Sequence, residues 1–113
     1  MLPLQSMLDK TLRANRLFDF YGPLLTENQR RIFRLYYRED WSLSEVAESM
    51  ECSRQAVHES VQRGHEKMQS FDDKLSLIEE HQHRQSKLNE LLTLLNGNSR
   101  ARERVEEMIS QGL

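Results

Sequence analysis

With 113 residues, 37% of them hydrophobic and 30% charged, the chain is sized for one domain with a modest core and long solvated faces, and a second full domain is excluded. A single cysteine, Cys52, excludes an internal disulfide and a clustered thiolate zinc site, and no apolar run approaches the roughly 20 residues that span a bilayer. The net charge is −2, and residues 26–67 carry seven basic against eight acidic side chains, or −1, which excludes a large long-range electrostatic pull on nucleic acid.

The start, Met1-Leu-Pro-Leu-Gln-Ser6, lacks the charged and then apolar pattern of a secretory signal, so a cytoplasmic location is expected. Leu4, Leu8, Leu12, Phe18 and Tyr21 recur at three-to-four spacing and predict an amphipathic helix over 4–21, closed by Gly22-Pro23. Pro3 and Pro23 are the only prolines, so long helices are permitted from Thr26 onward. Thr26-Glu-Asn-Gln29 has the form of a capping box and predicts a helix to about Arg38 that buries Ile32, Phe33, Leu35 and Tyr36. A second capping box, Ser42-Leu-Ser-Glu45, opens a short helix with Leu43, Val46, Ala47 and Met50 on one face. Ser53 is itself a good N-cap for the stretch that places Val57 and Val61 inward. Two helices joined by about three residues have helix-turn-helix spacing.

From Ser53 no strong stop occurs before Asn96-Gly97, and Val57, Val61, Gly64, Met68, Phe71, Leu75 and Ile78 form one seam. Gly64 or Ser70-Phe-Asp-Asp73 are the expected points of a kink or break. The polar stretch Glu79 to Lys87 interrupts the seam, which resumes out of phase as Leu88, Leu91, Leu92 and Leu95. Gly97 is expected just past the helix end, with Ser99 capping a last helix that carries Val105, Met108 and Ile109 on one side. The whole reads as all-α, divided into residues 1–64, an N-terminal helix plus helix-turn-helix body, and residues 65–113, a long helix and a short one.

Leu24-Leu-Thr-Glu-Asn-Gln29, Leu43-Ser-Glu-Val-Ala47 and Ser53-Arg-Gln-Ala-Val57 together resemble a sigma-factor region 4 helix-turn-helix. In that arrangement the Leu43 helix crosses the nucleic-acid backbone, and the Ser53 helix presents its first turns to the major groove. With Leu17-Phe-Asp-Phe-Tyr21 and the continuation to His58 added, the sequence over about 15–95 resembles the YlxM family of helix-turn-helix proteins. The resemblance implies a three-helix body with a long C-terminal helical extension. It also implies a role in the signal recognition particle pathway, inferred from gene neighbourhood, and no enzymatic activity. Two residues depart from the family's pattern. Glu51 stands where a residue tolerant of left-handed backbone is usual, and His58 where an aromatic hydroxyl is common.

Arg54, Gln55, His58, Gln62 and Arg63 are the expected base-reading set, because Arg and Gln can pair bidentately with base edges. Arg30 and Arg34, followed by Arg38, repeat every four residues as a stripe suited to phosphates. The aromatic residues Phe18, Phe20, Tyr21, Phe33, Tyr36, Tyr37 and Trp41 could stack bases as in single-strand binders, but their helical spacing beside Leu and Ile assigns them to the core. Cys52 is expected to be a small buried filler. Glu79, Glu80, His81 and His83 do not converge well enough for a metal site, and no nucleophile elbow or phosphate loop occurs, so no catalytic residue, metal or cofactor is expected. Leu75, Ile78, Leu88, Leu91, Leu92 and Leu95 are the expected homodimer surface, the alternative being intrachain cover by a folded-back last helix through Val105, Met108 and Ile109. Two function classes follow: a regulator that binds DNA or the structured RNA of the signal recognition particle, and a protein-interaction adaptor that has lost nucleic-acid binding.

Overall fold

A computed structural model of the chain describes residues 4–112, with side chains from Leu8 onward; the Leu4 side chain of the expected first seam lies outside the described residues. Six α-helices form, and no strand occurs among the described residues. They divide into two compact units, the first ending at Leu75 and the second beginning at Ser76.

In the first unit, α1 (Leu4–Tyr21) ends in a short 3-10 turn at Gly22–Leu24, where Pro23 cannot continue the helix. Its core face is Ala14, Leu17 and Tyr21. Leu8 and Leu12, expected on that face, are exposed, Leu12 by 66%. At about 100° per residue they lie roughly 180° and 140° round from Leu17, so the leucine spacing followed the outer side of the helix. A Cβ on Gly22 would meet the Phe18 ring at 3.2 Å, so glycine there lets the ring lie against the backbone.

Both predicted capping boxes form. Thr26 Oγ1 accepts from the Gln29 backbone and the Thr26 N–H donates to Gln29 Oε1, each at 3.2 Å, opening α2 (Glu27–Tyr37). Ser42 and Glu45 do the same at 3.1 and 3.0 Å for α3 (Leu43–Ser49). The turn that follows carries Glu51 at φ 55°, the left-handed conformation suspected at this position. For a residue with a Cβ that costs on the order of 1 kcal/mol. Ser53 Oγ then accepts from the Ala56 N–H at 3.0 Å and opens α4 (Arg54–Leu75).

Val57, Val61 and Met68 of α4 pack inward with Ile32, Phe33, Val46, Ala47 and Leu25. Phe33 stacks on Phe18 (5.2 Å between centroids, 11°) and meets Tyr37 at 4.7 Å. Of the seven aromatic residues assigned to the core, Tyr21 and Phe33 are fully buried and the other five are half-buried. Gly64 does not kink α4, and a Cβ there would meet Phe33 at 3.5 Å and Leu25 at 3.9 Å, ordinary van der Waals contact. Gly64→Ala is therefore expected to raise stability by about 1 kcal/mol through helix propensity, as read by a shift of the denaturation midpoint.

The break expected at Gly64 or within 70–73 lies instead at Ser76, whose φ is 53°, so the two units part eleven residues beyond the anticipated boundary at 64/65. Serine competes with the helix for backbone hydrogen bonds, which makes it a weaker interior residue than its apolar neighbours. In the second unit, α5 (Leu77–Leu94) packs against α6 (Ser99–Ser110), and Leu88 and Val105 are buried. Gly97 has φ 94°, as a position just past a helix end favours, but Asn98 rather than Ser99 caps α6, accepting from the Ala101 N–H at 3.1 Å. Arg102 donates to the Leu92 carbonyl and to Asn96 Oδ1, each at 3.1 Å, tying α6 to the end of α5.

Candidate nucleic-acid interface

The α4 segment is anchored from below. Val57 has no exposed surface and Val61 is 7% exposed, while the Ser53 cap satisfies one of the orphan N–H groups of the first turn. On the other side, Arg54, Gln55, Ala56, His58, Glu59, Gln62 and Arg63 are exposed. They fall into two rows at i, i+4 spacing: Arg54, His58 and Gln62 in one, Gln55, Glu59 and Arg63 in the other. Gln55 Nε2 donates to Glu59 Oε1 at 3.4 Å, so its amide is oriented along the second row. Arg54 and Arg63 make no ion pair among the described residues, and neither do Arg30 and Arg34 on α2.

Arg38, the third arginine of the stripe, is engaged elsewhere. Its guanidinium pairs with the Asp19 carboxylate, donates to the Asn15 carbonyl at 3.3 Å and lies 5.3 Å over the Phe18 ring, bracing α2 against α1. The stripe expected to suit phosphates is thereby reduced to Arg30 and Arg34. Cys52 is exposed rather than buried, because the turn around Glu51 carries it outward from the core residues Val46 and Ala47.

Charge is uneven across the motif. Glu45 and Glu48 on α3 and Glu51 in the turn are exposed, and α3 carries no basic residue. Glu45 is held below its ordinary carboxylate range by the Ser42 backbone N–H and then the Ser42 hydroxyl. A sum over the whole module hid this acidity.

Beside the first row of α4 opens a recess of about 230 Å³, lined by His58 and Gln62 together with Lys10, Tyr36, Leu43 and Glu66. His65 also faces it and is pushed below its ordinary range by partial burial, then by the charges of Lys10 and Arg13. Burial first, and Tyr36 second, raise the hydroxyl of the neighbouring Tyr37. His65 and Glu66 carry no mark in the sequence beyond helical spacing, whereas Tyr36, assigned to the core, is half-buried.

The expected dimer residues are only in part available. Ile78 and Leu88 are buried within the chain, at 4% and 9% exposure, and so cannot serve an intermolecular surface. For Leu88 the reason is α6, which folds back onto α5. Leu75 and Leu91 are exposed, and Leu92 and Leu95 are half-buried. Leu94, which the apolar pattern did not single out, is 81% exposed.

The family model described as "UPF0122: Putative helix-turn-helix protein, YlxM / p13 like" matches residues 8–109, from α1 into α6. The chain belongs to this family. It is 48% identical over 85 residues to a UPF0122 protein of Halalkalibacterium halodurans, covering 75% of this chain and 78% of that one. It is 41% identical over 103 residues to a UPF0122 protein of Bacillus mycoides, covering 91% of this chain and 94% of the relative. No helix among the described residues is long and apolar enough to cross a membrane.

Proposed function

We propose that the chain is a cytoplasmic, non-catalytic regulator that binds nucleic acid through the first turns of α4. The observation that carries this reading is the Ser53-capped α4, locked by Val57 and Val61, which holds Arg54, Gln55, His58, Gln62 and Arg63 in solvent. An arginine in that position can pair with guanine O6 and N7, and a glutamine with adenine N6 and N7. Arg30 and Arg34 supply phosphate contacts. With so few cations the affinity is modest, each neutralised phosphate adding about −0.9 to the slope of log K against log salt. Duplex DNA is one candidate target, and the pathway that the sequence resemblance implies makes a hairpin RNA of the signal recognition particle the other.

A second reading is favoured by Glu45, Glu48 and Glu51. The helix that would cross the phosphate backbone is acidic, as suits an adaptor that binds a basic protein partner. Fluorescence anisotropy on random duplex DNA and on hairpin RNA, at two salt concentrations, separates the two. Arg54→Ala is expected to cost about 1 to 3 kcal/mol on a preferred sequence. Arg34→Ala is expected to weaken all sequences alike and to flatten the salt slope by about 0.9. Wild type binding neither polynucleotide at low salt gives the function to the adaptor.

We further propose a homodimer built on α5 through Leu91 and Leu94, with Leu92 and Leu95 beside them. Each large apolar side chain left in water forgoes about 1.5 to 3 kcal/mol of burial, and a two-fold partner is the simplest cover. Sedimentation equilibrium at micromolar concentration is expected to give twice the chain mass, and Leu91→Glu to return it to the monomer. A wild-type monomer there contradicts the dimer.

A further inference from the structure

The recess beside α4 differs in chemistry from a phosphate site. Its volume of about 230 Å³ gives room for one planar heterocycle. Its walls are mixed. Leu43 and Val61 supply apolar surface, and the Tyr36 ring is half-buried and braced edge-to-face on Tyr37 at 4.9 Å and 82°. Tyr37 is held in turn by Phe33 at 4.7 Å, so the Tyr36 platform is fixed from the core outward. The polar lining includes Gln62, which both donates and accepts, the imidazoles of His58 and His65, and the Glu66 carboxylate, which only accepts. Lys10 stands at the rim from α1. A bare anion would meet Glu66 and be repelled, and an aliphatic ligand would waste the polar edge. A flat ring with N–H donors on its rim satisfies both walls.

We propose that this recess takes a single nucleobase bearing an exocyclic amino group, stacked on Tyr36, with its edge read by Glu66 and Gln62. Adenine, cytosine and guanine offer that amino donor, whereas uracil and thymine do not. Lys10 is placed to meet the phosphate attached to such a base. The base comes either from an unpaired residue of a strand lying along α4 or from a free nucleotide. The first source rests on the nucleic-acid reading above, because His58 and Gln62 belong at once to the reading row and to the recess.

The test is a titration of the full-length ¹⁵N-labelled chain with short single-stranded oligoadenylate, oligocytidylate and oligouridylate, with adenosine monophosphate, and with N-acetyltryptophanamide as an aromatic side-chain probe. Oligoadenylate and oligocytidylate are expected to shift the amides of Val61, Gln62 and Glu66 and to bind about fivefold or more tighter than oligouridylate. Tyr36→Ala should weaken oligoadenylate about tenfold, and Tyr36→Phe should retain it, since the stacking face is kept. Glu66→Gln, at an exposed site where folding is not at stake, should bring oligoadenylate and oligouridylate to similar affinity. Adenosine monophosphate shifting these amides while no strand binds upholds the base site and contradicts the nucleic-acid reading. Strands that bind equally well to wild type and to all three variants overturn the base site and leave that reading standing. Shifts produced only by the tryptophan probe, or by no probe, also overturn it, the former handing the recess to a protein partner.

Discussion

Phe33→Ala is expected to destabilise the first unit by about 3 to 5 kcal/mol, the range for truncating a fully buried aromatic residue. Phe33 is 1% exposed, stacks on Phe18, meets Tyr37 and lies under Gly64, so α1, α2 and α4 share a single ring. None of these three helices can move in to fill the void without losing another contact. Against a total stability of about 5 to 15 kcal/mol, that loss leaves the unit marginal. Trp41 lies in this unit, so its fluorescence during urea denaturation reads the loss directly. A change below about 1 kcal/mol would mean that the three helices do not close on this ring.

The next largest effect is expected where α1 meets the far half of α4. The Tyr21 hydroxyl donates to Asp72 Oδ1 at 2.7 Å, and Arg13 donates to Asp72 Oδ2 at 2.9 Å and to Gln69 at 3.1 Å. The Asp72 side chain is 13% exposed and the Tyr21 ring is fully buried, whereas Arg13 reaches solvent. The two partners are therefore unequal. Tyr21→Phe removes one hydrogen bond and leaves the carboxylate with Arg13, at a cost of about 1 kcal/mol. Asp72→Ala takes from a buried hydroxyl its carboxylate acceptor and from Arg13 its counter-charge, at about 2 to 4 kcal/mol. The double variant should cost less than the sum of the singles, with a coupling of about 1 kcal/mol. Strict additivity would show that the carboxylate and the phenol do not act together.

What the sequence declares here is local chemistry. Thr26 with Gln29, Ser42 with Glu45 and the Ser53 cap are settled within four residues, and each forms where its spacing predicts. The left-handed Glu51 is signalled by the family resemblance and not by its own chemistry, since a glutamate does not favour that conformation. The clamp of Arg13 and Tyr21 on Asp72 joins residues 59 and 51 positions apart, and helical periodicity has no means to pair them. The recess beside α4 is equally non-local, drawing Lys10, Tyr36, Leu43 and Gln62 from four helices. Leu8 and Leu12 misled because leucine at helical spacing marks a stripe without saying which side the core occupies. The break at Ser76 misled because Gly64 and the polar run at 70–73 are stronger helix breakers on propensity alone, and packing against Phe33 carries α4 through the first of them. Burial of Leu88 follows the alternative to a dimer, a last helix folded back along α5, which the apolar face of Val105, Met108 and Ile109 allows but spacing alone does not choose.

The central claim is that α4 offers its capped N-terminal turns to a polynucleotide, and mapping the contact tests it most directly. Amide chemical shifts of the full-length ¹⁵N-labelled chain would be followed as random duplex DNA or hairpin RNA is added at low salt. The account predicts that the largest changes cluster at Ser53 to Arg63, with smaller ones at Arg30 and Arg34, and that all of them fade as salt is raised. Changes confined to α5 and α6, or none at any polynucleotide concentration, would contradict it.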